Sequence, residues 1–477
     1  MLKVIPVEDR ERGFVMVVVV VVVALVGSLG AIAMTSGNHA SITSGRGRSW
    51  EQALHVAEAG ADVGIARLQQ MNGIYTSPLT ITGETSQGNY SVVVTAQARN
   101  RHLVTATGAV PGPSGLAATR RVSFVLAPPL IFRNALFSLT SIDTKNNDYV
   151  VGDVWANANV LVEAGDTIEG SVTAATGWVW LYGGSRVMGS VQTGGYHPTG
   201  HDAIRLENNA IINGDGTASV TSPLDANCSG EPQNRYTIRL ELNSRLEGAA
   251  KTWGTVVSNG FVGGPIAEHI CTAAPAALPM PSFVYNQNNY DPATLHVFGT
   301  PDAPTADARL QASAWIAANK GDLHGTIVVF QSGGVSQADR LDLSDAILTE
   351  DVTLVTNLPI YSAVLDDVIP DHDAVFVLAS FYQPESGTQC DVNHDDSDCS
   401  IHLKNGAQVS SDVALLAYAP YGPVAIKNNA EQFGAVYGQN IQIKNNQTLT
   451  YDARIERLVG FGAVTLEPSE WREVPPT

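Results

Sequence analysis

A run of 21 residues without a charged side chain, from Phe14 to Met34, constrains this chain more than any other feature of its sequence. As a helix rising 1.5 Å per residue it spans roughly 30 Å, the thickness of membrane hydrocarbon. A lone strand would leave its backbone groups unpaired in lipid, so we expect a helix despite the unbroken valines from Val17 to Val23. The 13 Val, Leu, Ile and Phe residues favour insertion by roughly 6 kcal/mol. The sequence therefore predicts one membrane-spanning helix, and a buried core helix is the alternative.

The flanking basic residues weakly favour a cytoplasmic N-terminus, because three of them precede the span and two follow it closely. A cleavable secretory signal is the nearest rival interpretation. Ala31-Ile32-Ala33 has the small-x-small pattern of a signal-peptidase site, although the apolar stretch exceeds the usual 7 to 15 residues. The two interpretations differ in the mature N-terminus that they predict.

A second helical pattern follows the span, between Ser49 and Met71. Apolar residues recur there at steps of three and four, which predicts a helix with one apolar stripe. We expect glycines to loosen this long helix locally, and the join at residues 35–47 stays open. These glycines are Gly27, Gly30, Gly37, Gly60 and Gly64. The stripe consists of Leu54, Ala57, Ala61, Ile65, Leu68 and Met71.

The residues around the start of the span resemble a prepilin-peptidase site. Arg12-Gly13-Phe14-Val15-Met16-Val17 carries this resemblance, and Ala57-Glu58-Ala59-Gly60 resembles the element that follows the span in PilX-type minor pilins. The resemblance implies a leader at 1–13, cleavage after Gly13, methylation of the new Phe14 N-terminus, and a helix at 14–72 that packs with the helices of other pilins. It also implies that the chain takes part in type IV pilus assembly and that prepilin peptidase is one of its partners.

Val18 departs from the pilin pattern. Major pilins have a glutamate at the fifth mature position, thought to pair with the free amine of the neighbouring subunit, and here that position is Val18. Valine avoids burying a carboxylate in lipid but removes the ion pair. Tip subunits can lack this acid, so the departure favours a place at a filament tip.

Alternating apolar residues predict a small antiparallel, pilin-like sheet at 73–130, with strands near 90–96, 103–107 and 121–126. Pro128 and Pro129 provide a boundary after it.

The remaining residues, 131–477, carry a repeat. Gly152, Gly170 and Gly189 recur 18 and 19 residues apart within short β-branched segments, and Asn-Asn pairs recur at 208–209, 428–429 and 445–446. This spacing leaves no room for helices between strands and favours one coil of a parallel β-helix, with asparagines at the corners. We expect a right-handed coil, interrupted at about 221–325, where a helix is predicted over 306–319. The repeats loosely resemble polymer-forming, bactofilin-like β-helices. The fold class is therefore mainly β behind one long N-terminal helix.

The charge of −19 argues against nucleic acid as a partner, since no basic surface is available to a phosphate backbone. Motifs of nucleotide-binding loops, α/β-hydrolases and zinc proteases are missing from the sequence, and no enzymatic activity is expected. A second acidic cluster leaves a polysaccharide-cleaving enzyme as an alternative, because such an enzyme would need paired carboxylates across a groove. The cluster consists of Asp366, Asp367 and residues 371–373.

The segment from Cys390 to Cys399 is rich in carboxylates. Asp391, Asn393 and Asp395 begin like a calcium loop, but its sixth and twelfth positions lack the expected Gly and Glu. A disulfide-closed acidic surface loop is the favoured interpretation, and no cofactor is expected apart from this weak Ca²⁺ candidate. His197 and His201 are loop residues, because Pro198 and Gly200 exclude a helix that would align them.

Four cysteines in an exported chain predict two disulfides, with free buried thiols as the alternative. Of the three possible connectivities we favour the one that pairs neighbours in sequence, Cys228 with Cys271 and Cys390 with Cys399.

These patterns together predict a structural subunit with a single-pass helix in the cytoplasmic membrane and its C-terminal head outside, later on a pilus or the cell surface. The head would serve pilus assembly or adhesion to an unidentified target. A membrane-tethered polysaccharide enzyme and a self-assembling envelope scaffold, joined through exposed strand edges, are the alternatives.

Overall fold

The computed structural model describes residues 9–70, 78–97, 101–112, 117–127, 132–219, 228, 234–283, 285–287, 290–363, 365–367, 374–385, 390, 398–404, 412–427, 431–458 and 467–474. The chain divides into two compact units. We call Met1–Pro128 with Thr465–Thr477 the helix–sheet unit, and Pro129–Val464 the head.

The helix–sheet unit begins with one continuous helix, α1 (Asp9–Gln70), of 62 residues. At 1.5 Å per residue it is about 93 Å long. It begins inside the predicted leader rather than at Phe14. The helix also runs unbroken through residues 35–47, the join that the sequence left open.

An antiparallel sheet packs against the C-terminal half of α1. Its strands pair in chain order, and their inward side chains alternate with exposed ones. Three of these strands match the predicted alternating segments, and the first strand in the chain is an additional edge strand that was not predicted. They are β1 (Leu79–Glu84), β2 (Asn89–Gln97), β3 (Arg101–Pro111) and β4 (Ala117–Ala127).

The first half of the head is a parallel solenoid of short strands. Each strand pairs in parallel with the strand three places later, so three strands make one coil. Val, Ile, Leu and Ala point inward and form one continuous buried core. The strands are β5 (Leu136–Ser138), β6 (Ile142–Lys145), β7 (Tyr149–Val151), β8 (Val154–Ala156), β9 (Val160–Val162), β10 (Thr167–Ile168), β11 (Val172–Ala174), β12 (Val179–Leu181), β13 (Arg186–Val187), β14 (Val191–Thr193), β15 (Asp202–Leu206), β16 (Ile211–Ile212), β17 (Gly216–Ala218), β18 (Thr237–Leu240), β19 (Arg245–Leu246), β20 (Ala250–Thr252), β21 (Val256–Ser258), β22 (Phe261–Val262) and β23 (Ile266–Ala267).

Corner residues explain the repeat seen in the sequence. A Cβ added to Gly170 or Gly189 would collide with the backbone of the glycine one coil earlier, Gly152 or Gly170. The asparagine corners adopt positive φ, and the Asn146 side chain donates to the Asn445 side-chain oxygen at 2.8 Å. The predicted pair at 428–429 lies outside the described residues. Stacked glycines and asparagines therefore set the coil spacing.

The second half of the head has longer strands and one helix. The helix α2 (Ala308–Ala318) agrees with the helix predicted over 306–319, and its buried residues Ala308, Ala312 and Ile316 join the solenoid core. The strands are β24 (Leu295–Val297), β25 (Leu323–Val329), β26 (Leu341–Asp342), β27 (Ala346–Thr356), β28 (Ile360–Ser362), β29 (Leu365–Asp367), β30 (Ala374–Ser380), β31 (Ile401–Lys404), β32 (Val413–Lys427), β33 (Glu431–Lys444) and β34 (Thr448–Tyr451).

The two halves join out of chain order. Strand β33 pairs in parallel with β5 and β6, and β34 pairs with β7. The last coil in sequence therefore stacks on the first, and the chain enters the solenoid in the middle of the stack of coils. Between the halves the chain returns along the outside, where Leu278 contacts Asn157 and the carbonyl of Pro281 accepts from the Tyr418 hydroxyl.

Two boundaries differ from the sequence prediction. The predicted interruption at about 221–325 contains β18 to β23, because residues 237–267 keep the coil pairing. Residues 220–227 and 229–233 lie outside the described residues. The final strand, β35 (Glu467–Val474), pairs antiparallel with β4, so it belongs to the helix–sheet unit rather than to a β-helix ending at 477. In chain order, the head is inserted between these two paired strands.

Candidate functional site

The N-terminal half of α1 is apolar and exposed. Side chains from Val18 to Met34 include large apolar ones whose exposure runs from 43 % at Val18 to 81 % at Met34. Within Val18–Gln69, an 18-residue window has a mean hydropathy of 2.6, and none of it is buried. Among the described residues, α1 is the one helix long and apolar enough to cross a membrane.

The C-terminal half of the same helix is covered by the sheet. Ala57, Ala61 and Leu68 are fully buried, while Leu54 and Ile65 are partly buried at the edge of the same cluster. Facing residues come from β2, β3 and β4 and include Val92, Val104, Val122 and Phe124. From Leu54 to Leu68, the apolar stripe identified in the sequence therefore packs on this chain's own sheet, and Met71 lies outside the described residues.

Small residues let this helix approach the strands. A Cβ on Gly108 of β3 would collide with the Ala53 carbonyl and the Ala57 nitrogen of α1. On the helix side, a Cβ on Gly60 would lie 2.9 Å from the Tyr90 Cβ, and one on Gly64 would lie 3.0 Å from a Val92 methyl. These helix glycines serve close packing and do not break α1, contrary to the loosening that the sequence suggested.

The predicted processing residues Gly13 and Phe14 lie on the helical backbone of α1, and their side chains are outside the described residues. Val18 lies one turn further along and is exposed.

Two disulfides join the cysteines as paired in the sequence prediction. Cys228 and Cys271 have Cα atoms 5.8 Å apart, and Cys390 and Cys399 have Cα atoms 4.8 Å apart. Both bridges lie in the head.

The candidate calcium residues Asp391, Asn393 and Asp395 lie outside the described residues, as do residues 371–373. Asp366 and Asp367 lie on β29, and their side chains are not described. Elsewhere in the described part of the chain, no group of three or more His, Cys, Asp or Glu side chains could hold a metal ion.

An aromatic cleft lies on the outer face of the solenoid, beside β12. It is small and open to solvent, with room for about one water molecule. The rings of Trp178 and Trp180 are 6.2 Å apart at 65°, and the His197 ring lies 5.1 Å from Trp178 and 6.3 Å from Trp180. The Arg205 guanidinium lies 4.7 Å from the centre of the Trp180 ring, a cation–π contact. Val179 and Asp202 complete the lining.

The sequence prediction missed this cleft. Trp180 lies on β12 between the inward Val179 and Leu181, Trp178 immediately precedes this strand, and both tryptophans are partly exposed. The spacing of two residues between the tryptophans could have indicated from the sequence that they share a face. His197 and Arg205 come from the following coil, and only the coil register brings them to the tryptophans.

A network of ion pairs lies beside the cleft. The Asp202 carboxylate is only 3 % exposed, and the Arg239 Nε donates to both of its oxygens at 3.0 Å. Burial raises the pKa of Asp202, and Arg239 and Arg205 oppose that shift. Arg205 also pairs with Glu207, and with Glu241 at 3.4 Å. Two arginines therefore face three acids in one partly buried network.

A second buried polar group lies at a corner of the coil. The carboxylate of Asp148 accepts from the backbone N–H groups of Lys145 at 3.0 Å and Gln447 at 2.9 Å. The Asp166 carboxylate accepts from the Asp148 N–H at 2.8 Å and from the Glu163 N–H at 3.2 Å. Burial raises the pKa of Asp148 to about 7 and that of Asp166 to about 6, against the opposing effect of these hydrogen bonds.

No protein-family model matches the chain, and no curated protein matches its sequence. Among solved structures, the chain is similar to the competence-associated pilin ComZ from Thermus thermophilus, at 11% identity and a TM-score of 0.29 over 89% of this chain and 97% of that one. The C-terminal domain of tapirin from Caldicellulosiruptor kristjanssonii is similar at 12% identity and a TM-score of 0.19, over 68% of this chain and 93% of that one. Both TM-scores are too low to carry an argument about fold or function.

Proposed function

We propose that this chain is a minor pilin-like structural subunit. In this proposal, the N-terminal half of α1 is held in the cytoplasmic membrane and later packs with the helices of other pilins, and the head is carried outside. One observation carries the proposal: a single helix whose first half is apolar and uncovered and whose second half is packed on a small antiparallel sheet.

The uncovered half of α1 needs an apolar environment. Each fully buried Val or Leu side chain gains roughly 1.5 to 3 kcal/mol over an exposed one. The described parts of this chain do not supply that burial, because none of the most apolar window is buried. Lipid supplies it before assembly, and neighbouring helices supply it within a filament.

The finer parts of the proposal rest on the pilin resemblance. Cleavage after Gly13 by a prepilin peptidase would give Phe14 a free, methylated amine. Val18 offers no carboxylate to the free amine of a neighbouring subunit. The ion pair that would recruit this subunit to a growing filament is therefore absent, which supports a place at the filament tip.

The mature N-terminus tests this proposal, read by mass spectrometry of the protein purified from cell membranes. We expect a chain that begins at methylated Phe14. Gly13→Val should retain the leader, whereas the matched variant Gly27→Ala should be processed normally, because a Cβ on Gly27 meets no atom within 4 Å. A chain that begins at Met34, or one whose mass is unchanged in cells lacking the peptidase, would contradict the proposal.

A further inference from the structure

We propose that a row of stacked lysines on the head binds a linear anionic glycan with one carboxylate per sugar. The inference goes beyond the proposed function and rests on it in one respect, because a head that is carried outside the cell is exposed to such polymers.

The row is formed by the register of four successive strands. Lys404 of β31 is the register partner of Lys427 of β32. Lys427 in turn is the partner of Lys444 of β33, and Lys444 is the partner of Lys145 of β6. The residue before each lysine is buried, so strand alternation turns the lysines outward, where each is partly exposed. We call these four residues, out of seven lysines in the chain, the lysine row.

The lysine row opposes folding. Neighbouring strands lie about 4.8 Å apart, so the row is straight and roughly 14 Å long. Like charges directly opposite each other on paired strands are destabilising. The crowding is evident at Lys404, whose pKa is lowered by burial and by the charges of Lys427 and Arg340. Departures from such a rule are expected at functional sites, and an anion bound along the row would relieve the repulsion.

Two lysines in the row are available to an external anion. Lys145, at one end, has its Nζ 3.2 Å from a carboxylate oxygen of Glu163 and 3.7 Å from one of Asp143. In the described part of the chain, neither Lys427 nor Lys444 forms an ion pair with a carboxylate. The net charge of −19 does not decide this site, because charges more than ~8 Å away are largely screened at physiological ionic strength. The row is therefore a local basic surface on an acidic chain.

The geometry of the row favours an acidic glycan over a nucleic acid. An extended chain of uronic acids carries one carboxylate per ring, and a ring is about as long as the strand spacing of roughly 5 Å. The flexible lysine stems can reach carboxylates on either edge of such a chain. The phosphates of a DNA duplex lie about 3.4 Å apart on each strand and wind around its axis, so they do not follow a straight row.

Single-stranded nucleic acid would need exposed aromatic rings on which bases stack. Tyr361, on the strand next to β31, does not offer one. Its side chain is buried, and the Arg340 guanidinium lies 4.3 Å from the centre of its ring.

Binding should be measured with the full chain in phosphatidylcholine nanodiscs, whose lipid has no net charge, with empty nanodiscs as the blank. The probe is a tetramer of galacturonic acid, followed by ligand-observed NMR and calorimetry. At 50 mM salt we expect a Kd of about 0.1 to 1 mM. At 200 mM salt binding should be about 5- to 50-fold weaker, because a few lysine contacts release counterions from the ligand.

The double variant Lys427→Gln with Lys444→Gln should weaken binding about tenfold or more at 50 mM salt. The double variant Lys427→Arg with Lys444→Arg should retain most of it, because the charges stay in place. The glutamines remove like-charge repulsion, so the thermal midpoint should be unchanged or higher, which separates a loss of binding from a loss of folding. Lys251→Gln is the matched control, because it removes an exposed lysine of β20 outside the row and should leave binding unchanged.

Failure of the tetramer to bind at 50 mM salt would overturn the inference, as would binding that survives the double glutamine variant. Equal binding of a neutral galactose tetramer, or tighter binding of a thymidine oligonucleotide of equal charge, would overturn the assignment of an acidic glycan. The result is separate from the mature N-terminus, since the nanodisc protein displays the same head with or without its leader.

Discussion

The head and the helix–sheet unit both use glycine to bring backbones together, but in different ways. In the head, Gly152, Gly170 and Gly189 lie one above the other, and Gly214, Gly248 and Gly264 continue the column through the following coils. In the helix–sheet unit, Gly108 brings β3 against the backbone of α1, and Gly60 and Gly64 bring α1 against side chains of β2. A stacked architecture repeats its close contacts from coil to coil, whereas those of a helix packed on a sheet have no such repeat. The difference decides which contacts a sequence can reveal.

The strongest test of this comparison is a side chain in the glycine column. Gly189→Val should destabilise the head by about 3 kcal/mol or more, because its Cβ would lie 2.5 Å from the Gly170 carbonyl oxygen and the coils would have to separate. Gly334→Ala is the control, since a Cβ there meets nothing within 4 Å. Thermal unfolding followed by circular dichroism measures both. Equal midpoints for the two variants would mean that the column does not set the coil spacing.

The corresponding test in the helix–sheet unit is Gly108→Ala. The added methyl would push α1 away from β3, and we expect a loss of about 1 to 3 kcal/mol confined to this unit. Hydrogen exchange at the amides of β2 to β4 measures the loss. Gly47→Ala should be neutral or stabilising by up to about 1 kcal/mol, because it improves helix propensity at an open position. Faster hydrogen exchange at these amides in the Gly47→Ala variant, or an unchanged exchange rate in the Gly108→Ala variant, would contradict the packing described for α1.

A smaller effect concerns the head alone, whose free energy of unfolding should depend on pH through Asp148. The folded pKa of Asp148, about 7, lies above the ordinary value of 3.8, so the folded head binds this proton more tightly than the unfolded chain does. The stabilisation is complete below pH 3.8 and is lost as the pH rises through about 7. From pH 5 to pH 8, the free energy of unfolding should fall by about 2 kcal/mol on account of this group.

Asp148→Asn should flatten that decline, and urea unfolding at several pH values measures it. Asp302→Asn, at an exposed position, should keep the slope of the unmodified chain. An Asp148→Asn head with an unchanged slope would show that the buried carboxylate is not the source of the pH dependence.

The same comparison explains how much the sequence could predict. Gly152, Gly170 and Gly189 indicated a β-helix because their spacing repeats, and the run from Phe14 to Met34 indicated an exposed apolar helix because it is continuous. The pairing of β33 with β5 has no such signal, since the partners are about 300 residues apart and meet once. β35 was missed for a similar reason. It carries a proline and several charges, and its pairing with β4 follows from the return of the chain after the head.

The cleft was only half visible in the sequence. Trp178 and Trp180 are two residues apart at β12, but the residues that complete the cleft come from the next coil, His197 within the longer turn before β15 and Arg205 on β15. A turn of variable length hides the register, so the position of these partners requires the folded coil.

The central claim is that the uncovered half of α1 packs with the helices of other pilins, and photo-crosslinking tests it most directly. A benzophenone amino acid replaces Val22, which is 51% exposed in the apolar run, or Leu310, which is 61% exposed on α2 in the head. In cells that assemble filaments, the probe at position 22 should yield adducts with other pilin subunits, and the probe at 310 should not. Adducts at position 22 with lipid alone, unchanged by filament assembly, would contradict the account.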